Sequence, residues 1–133
     1  MIEEEIRGII EDQTDDGDRL NGIVDGFREG RKTTELLPLL DAGDSELVSI
    51  ATWVLGEIPT KLYCGDEAIL SRLKMLVFHE EPSVRFGALN ALLPAISASD
   101  SEARDLLKRL LHDPNEGVRL AARAAADGWS LDS

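Results

Sequence analysis

The sequence predicts an all-α chain of about eight helices in four antiparallel pairs, stacked as a right-handed α-α superhelix. Three observations carry that prediction. First, the stretch Glu81-Pro82-Ser83-Val84-Arg85-Phe86-Gly87-Ala88-Leu89-Asn90-Ala91-Leu92 recurs as Asp113-Pro114-Asn115-Glu116-Gly117-Val118-Arg119-Leu120-Ala121-Ala122-Arg123-Ala124-Ala125, with a spacer after the proline that is two residues longer in the second copy. Second, apolar side chains recur at spacings of three and four along most of the chain, which places them on one face of a helix. Third, no run alternates with a period of two for long enough to favour a strand.

Residues 1–12 put Ile2, Ile6, Ile9 and Ile10 on one face of a helix whose other face is acidic. Asp16 or Asp18 is expected to cap a second helix through Leu20, Ile23, Val24 and Phe27, which Gly30 ends. Asp12, Thr14, Asp16 and Gly17 mimic the first half of a calcium loop. Position 12 of that loop falls on Ile23, where a bidentate glutamate is required, so an acidic turn is the better reading.

Thr33 or Thr34 is expected to cap a short third helix containing Pro38. The fourth helix, over residues 45–58, buries Leu47, Ile50, Ala51, Val54 and Leu55, stops at Pro59, and leaves Trp53 off its stripe. A loop carrying Tyr63 and Cys64 follows. Asp66 then caps a fifth helix with Ile69, Leu70, Leu73, Leu76, Val77 and Phe78 on its apolar face. The sixth helix starts at Pro82 and is expected to kink or finish early at Pro94. A seventh, over residues 101–112, buries Ala103, Leu106, Leu107, Leu110 and Leu111, and an eighth runs to Gly128.

Aligning the second helices of three pairs on Leu47, Val84 and Val118 gives offsets of 37 and 34 residues. Each pair leaves an apolar face that its neighbour must cover, so pairs stack rather than close into a bundle. One domain over residues 1–133 follows: an acidic N-terminal capping pair (1–30), repeats at 33–58, 66–98 and 101–127, and a tail at 128–133.

The chain has 133 residues, 14 Lys+Arg, 26 Asp+Glu and a net charge of -12, and residues 1–30 hold ten of those acids against three bases. Such a field repels phosphate backbones and attracts basic partners, so nucleic acid is not an expected ligand. One cysteine cannot form an internal disulfide, the N-terminus lacks a basic secretory region, and no apolar run is long enough to span a bilayer. A cytoplasmic location with no membrane partner is expected.

The paired helices with Asp/Glu-Pro-x-Val-Arg-x-x-Ala-x-x-Ala-Leu resemble HEAT repeats, well over residues 66–127, less so over 33–58 and weakly over 1–30. Val48 stands where the motif arginine belongs in the first repeat. The resemblance implies that Arg85 and Arg119 pair with acids at neighbouring interhelix turns, with Asp41, Asp44, Glu80, Glu81 and Asp113 available.

His79 and His112 each close the first helix of a repeat, where capping of the helix C-terminus accounts for both without catalysis. There is no phosphate loop, nucleophile elbow or His/Cys cluster, so neither enzyme activity nor a cofactor or metal is expected. With Val84, Ala88, Ala91 and Leu92 inward, the outward positions are Phe86, Leu89, Asn90 and Leu93. Their equivalents are Ser49, Thr52, Trp53 and Gly56, then Leu120, Arg123, Ala124 and Asp127.

The candidate partner-binding residues are therefore Trp53, Phe86, Asn90, Leu120, Arg123 and Ser49, with Trp53, Phe86 and Leu120 as an apolar strip. The expected function is a non-catalytic protein-binding module. The whole profile also resembles the small acidic immunity proteins that bacteria direct against basic toxin domains. Alternatives from the same resemblance are a subunit like the chromophore lyases or a general scaffold; alkylpurine DNA glycosylases are also similar, but need a basic groove.

Overall fold

The computed structural model describes residues 2–12, 17–97 and 99–129, and among these the chain is helical with no strand. Eight α-helices follow one another: α1 (Ile2–Glu11), α2 (Asp18–Arg28), α3 (Leu37–Leu40), α4 (Ser45–Glu57), α5 (Glu67–Leu76), α6 (Pro82–Leu92), α7 (Ser101–Leu110) and α8 (Glu116–Gly128). Single 3-10 turns lie at Thr33–Leu36, Thr60–Leu62 and Leu93–Ala95. Helix α3 packs on α4, α5 on α6 and α7 on α8, while α4 packs on α6 and α6 on α8. The second helices thus form a continuous row, the signature of a short α-solenoid.

One apolar core runs from Ile2 through Phe27, Leu47, Leu73 and Leu92 to Ala126. Its continuity explains why the pairs do not fold as separate units: each buries the face that its neighbour leaves open. Helices α1 and α2 both lie against α4. Arg31 ties them to the first repeat, with Nη2 2.8 Å from Glu5 Oε2 and 3.1 Å from Glu35 Oε1, and its guanidinium 5.5 Å from the centre of the Phe27 ring. The Arg31 hydrogen bond holds the Glu5 carboxyl below its ordinary pKa, and Glu35 and then Glu5 hold the Arg31 guanidinium above its own.

The helix starts follow from short polar side chains. Asp44 Oδ1 accepts from Glu46 N (3.0 Å), Asp66 Oδ1 from Ala68 N (3.0 Å) and Asp100 Oδ1 from Glu102 N (3.0 Å), each satisfying an amide that the first turn leaves open. The Pro94 expectation holds, because α6 ends at Leu92 and passes into the 3-10 turn Leu93–Ala95.

Several expectations need correction. Asp18 is not the cap of α2, since Gly17 precedes the helix at φ 97° and Asp18 is already helical. Asp16 and Thr14, with most of the calcium-like turn, lie outside the described residues. Thr33 is buried and donates from Oγ1 to Leu62 O (3.3 Å), so it fastens the next loop instead of capping a helix. Phe78 lies beyond α5 and is 41% exposed, its ring covered by the Arg109 guanidinium at 4.1 Å. Ile50, Leu70 and Leu76 are only half-buried.

The alignment on Leu47, Val84 and Val118 keeps its register, but the pairing of the two prolines does not. Asp44, Glu81 and Asn115 are the residues immediately before α4, α6 and α8, each three positions ahead of Leu47, Val84 and Val118. The two extra residues after Pro114 therefore do not lengthen the path from the helix cap to Val118. Pro82 is the first helical residue of α6, whereas Pro114 precedes the α8 cap, so the two prolines occupy different positions.

Candidate functional site

The row α4, α6 carries a cleft of about 450 Å³, and its lining includes Ser49, Trp53 and Glu57 of α4 with Ser83, Phe86 and Asn90 of α6. Glycine makes the floor. At Gly87 the two helices approach so closely that a Cβ would overlap Thr52 Oγ1 and lie 3.1 Å from Thr52 Cβ. At Gly56 a Cβ would stand 4.0 Å from Asn90 Cβ. With no side chains of their own to fill the crossing, the glycines leave a recess bounded by larger neighbours.

The aromatic residues on that rim are only partly covered: Trp53 is 39% and Phe86 42% exposed. Large aromatic surface left in water beside a recess is costly for an isolated chain, and it is the residue type that anchors interfaces. The polar groups around it are Ser49, Ser83, the Asn90 amide and the Glu57 carboxylate.

Ser49, Trp53, Phe86 and Asn90 thus line one cleft. Leu120, the α8 counterpart of Phe86, is 62% exposed but does not line the cleft. Arg123 is exposed for a different reason. It occupies the register of Thr52 and Leu89, which were expected to face outward and are instead fully buried. Thr52 meets Gly87 of the next second helix, so this register is the side on which one second helix stacks on the next; Arg123 belongs to the corresponding side of α8, away from the strip.

The remaining candidate groups are structural. Arg85 and Asp113 are both buried, with Nη2 3.0 Å from Oδ1 as a directed hydrogen bond and Nε 2.8 Å from Oδ2 as an ion-pair contact set off the N–H axis. Arg85 Nη1 also donates to His79 O (2.8 Å) and Glu80 O (3.0 Å). Arg119 Nη1 donates to the Asp113 carbonyl (2.8 Å), so its partner is a backbone oxygen and not the expected carboxylate. His79 is not a cap for the α5 C-terminus: its Nδ1 accepts from Glu81 N (3.0 Å) and closes the following turn. His112 is exposed. Among the described residues no group of His, Cys, Asp or Glu is arranged to hold a metal ion, and no helix is long and apolar enough to cross a membrane.

Against known families, the model describing HEAT repeats matches residues 33–127. The chain belongs to the HEAT-repeat family. The match spans α3 to α8 and leaves the acidic pair α1 and α2 outside it. Neither the curated proteins nor the solved structures gave a match. HEAT repeats typically mediate protein–protein interaction, in general as scaffolds without catalysis of their own.

Sequence reasoning missed Glu57 and Ser83 of the cleft lining, and Tyr63 behind it. Glu57 lies one helical turn beyond Trp53, a spacing of four that was available as a signal. Tyr63, placed in an irregular loop, is 1% exposed and donates from its hydroxyl to Ala91 O (2.6 Å), supporting α6 from behind the cleft-forming face.

Proposed function

We propose that the chain is a non-catalytic protein-binding module that seats its partner in the cleft between α4 and α6. The observation that carries this reading is the pairing of Trp53 and Phe86, two partly exposed aromatics on adjacent helices around a glycine-floored recess. The partner is basic. Support for that comes from the net charge of -12 and the ten acids of residues 1–30, which steer a basic protein toward the chain. A basic toxin domain, bound and neutralised in the cytoplasm as an immunity protein would do it, is the finer form of the same proposal.

The experiment is a peptide-display selection on the whole chain, followed by binding of the selected ligands to Trp53→Ala and Phe86→Ala. A drop of about 2 kcal/mol or more in binding free energy for either variant supports the cleft as anchor. Ligands that bind both variants like the wild type would remove it.

A further inference from the structure

We propose that the residue the cleft selects is an arginine of the partner, its guanidinium held against Trp53 and Phe86 and paired with the Glu57 carboxylate; this rests on the cleft being the docking surface.

The chemistry of the lining points that way. Among the described residues, Glu57 is the one acidic or basic side chain lining the cleft. Its backbone oxygen accepts from Arg28 Nη2 (2.8 Å), but Arg28 Nη1 is committed to Asp25 Oδ1 (3.0 Å), and among the described ion pairs the Glu57 carboxylate takes no cation. Glu57 is also the last residue of α4, whose final turn contains no basic side chain. Arg28 thus offsets the negative end of the α4 dipole at the backbone, and the Glu57 carboxylate is the negative charge left at the cleft without an ion pair among the described residues.

Aromatic faces add to the same preference. Cations are attracted to the negative face of an aromatic ring, most strongly to tryptophan. This chain already uses arginine in that way on Phe27 through Arg31 (5.5 Å) and on Phe78 through Arg109 (4.1 Å). Trp53 and Phe86 have no such cation of their own among the described residues. An arginine suits the site better than a lysine because its flat guanidinium stacks on a ring while its N–H fork reaches a carboxylate, with further donors left for the Asn90 amide oxygen.

The test titrates the full chain with blocked Gly/Ser heptapeptides that differ only at the central residue (Arg, Lys, Leu or Gln), followed by amide and indole NMR shifts. The Arg peptide is expected to shift the Trp53 indole N–H and the Asn90 side-chain amide. It should bind about ten-fold more tightly than the Leu or Gln peptide, and Glu57→Gln should weaken it about five-fold without changing its binding-free NMR spectrum beyond the site. Glu57 is exposed, so folding is not at stake in that variant.

Equal or stronger binding of the Leu peptide at Trp53 would overturn the arginine assignment while leaving the cleft as a docking surface. Shifts confined to other parts of the chain, or no response to any of the four peptides, would also overturn the arginine assignment. Failure of the docking reading is seen separately, as selected ligands indifferent to Trp53→Ala and Phe86→Ala.

Discussion

Arg85 of one repeat clasps Asp113 of the next, and both side chains are buried. Asp113 also accepts from Asn115 N (2.8 Å), two residues ahead. In the preceding repeat the same place is held by His79, six residues before Arg85 as Asp113 is six before Arg119, and His79 Nδ1 accepts from Glu81 N in the same way. Helix α4, the second helix of the repeat before α6, has Val48 where Arg85 would stand, and Val48 is buried. An arginine is thus present where the next turn offers a carboxylate, and an apolar residue where it offers an imidazole.

Removing one member of the Arg85–Asp113 pair strands the other in the core. Arg85→Ala is expected to cost about 3–5 kcal/mol in urea unfolding, and adding Asp113→Ala should cost far less than the sum of the single changes. Additive losses would show that the two side chains are not energetically coupled.

At Gly87 the sign of a substitution depends on its neighbour. Gly87→Ala should destabilise the wild-type chain by about 1–2 kcal/mol, because the new methyl meets Thr52. On a Thr52→Ala background the same change should stabilise by about 0.5–1 kcal/mol through helix propensity. Thermal or urea unfolding of the four variants reads both signs.

Tyr63 links pH to stability. Burial raises its pKa above the ordinary value of 10.0, outweighing a lowering by Thr60, and the hydrogen bond to Ala91 O keeps the proton in place. A raised folded-state pKa means that this contribution is fully present below pH 10.0 and declines as pH rises through the folded-state value. Tyr63→Phe should cost about 1 kcal/mol near neutral pH and flatten the loss of stability above the ordinary tyrosine range, as measured by urea unfolding across alkaline pH.

Much of this was legible in the sequence. Val-Arg-x-x-Ala spacing located α6 and α8, Asp66 marked a helix start, and outward spacing placed Ser49, Trp53, Phe86 and Asn90 on the open side of their helices. Thr52 and Leu89 misled because an amphipathic stripe assumes one buried side. A second helix in a stacked row has buried flanks as well, one toward the next second helix, so its open face is narrower than the pattern implies. The two prolines misled in another way: matching Pro82 with Pro114 suggested an insertion that the arginine-to-turn spacing does not contain, and it hid the equivalence of His79 and Asp113. Tyr63 lies in a loop without periodicity, where no pattern reports burial.

Hydrogen-exchange mass spectrometry of the chain with a display-selected ligand tests the central claim most directly. The account predicts added protection across residues 49–57 and 83–90, the two walls of the cleft, with no change over residues 67–78, where Met75 and Phe78 are also exposed. Protection confined to residues 67–78, or to the acidic helices α1 and α2, would contradict it.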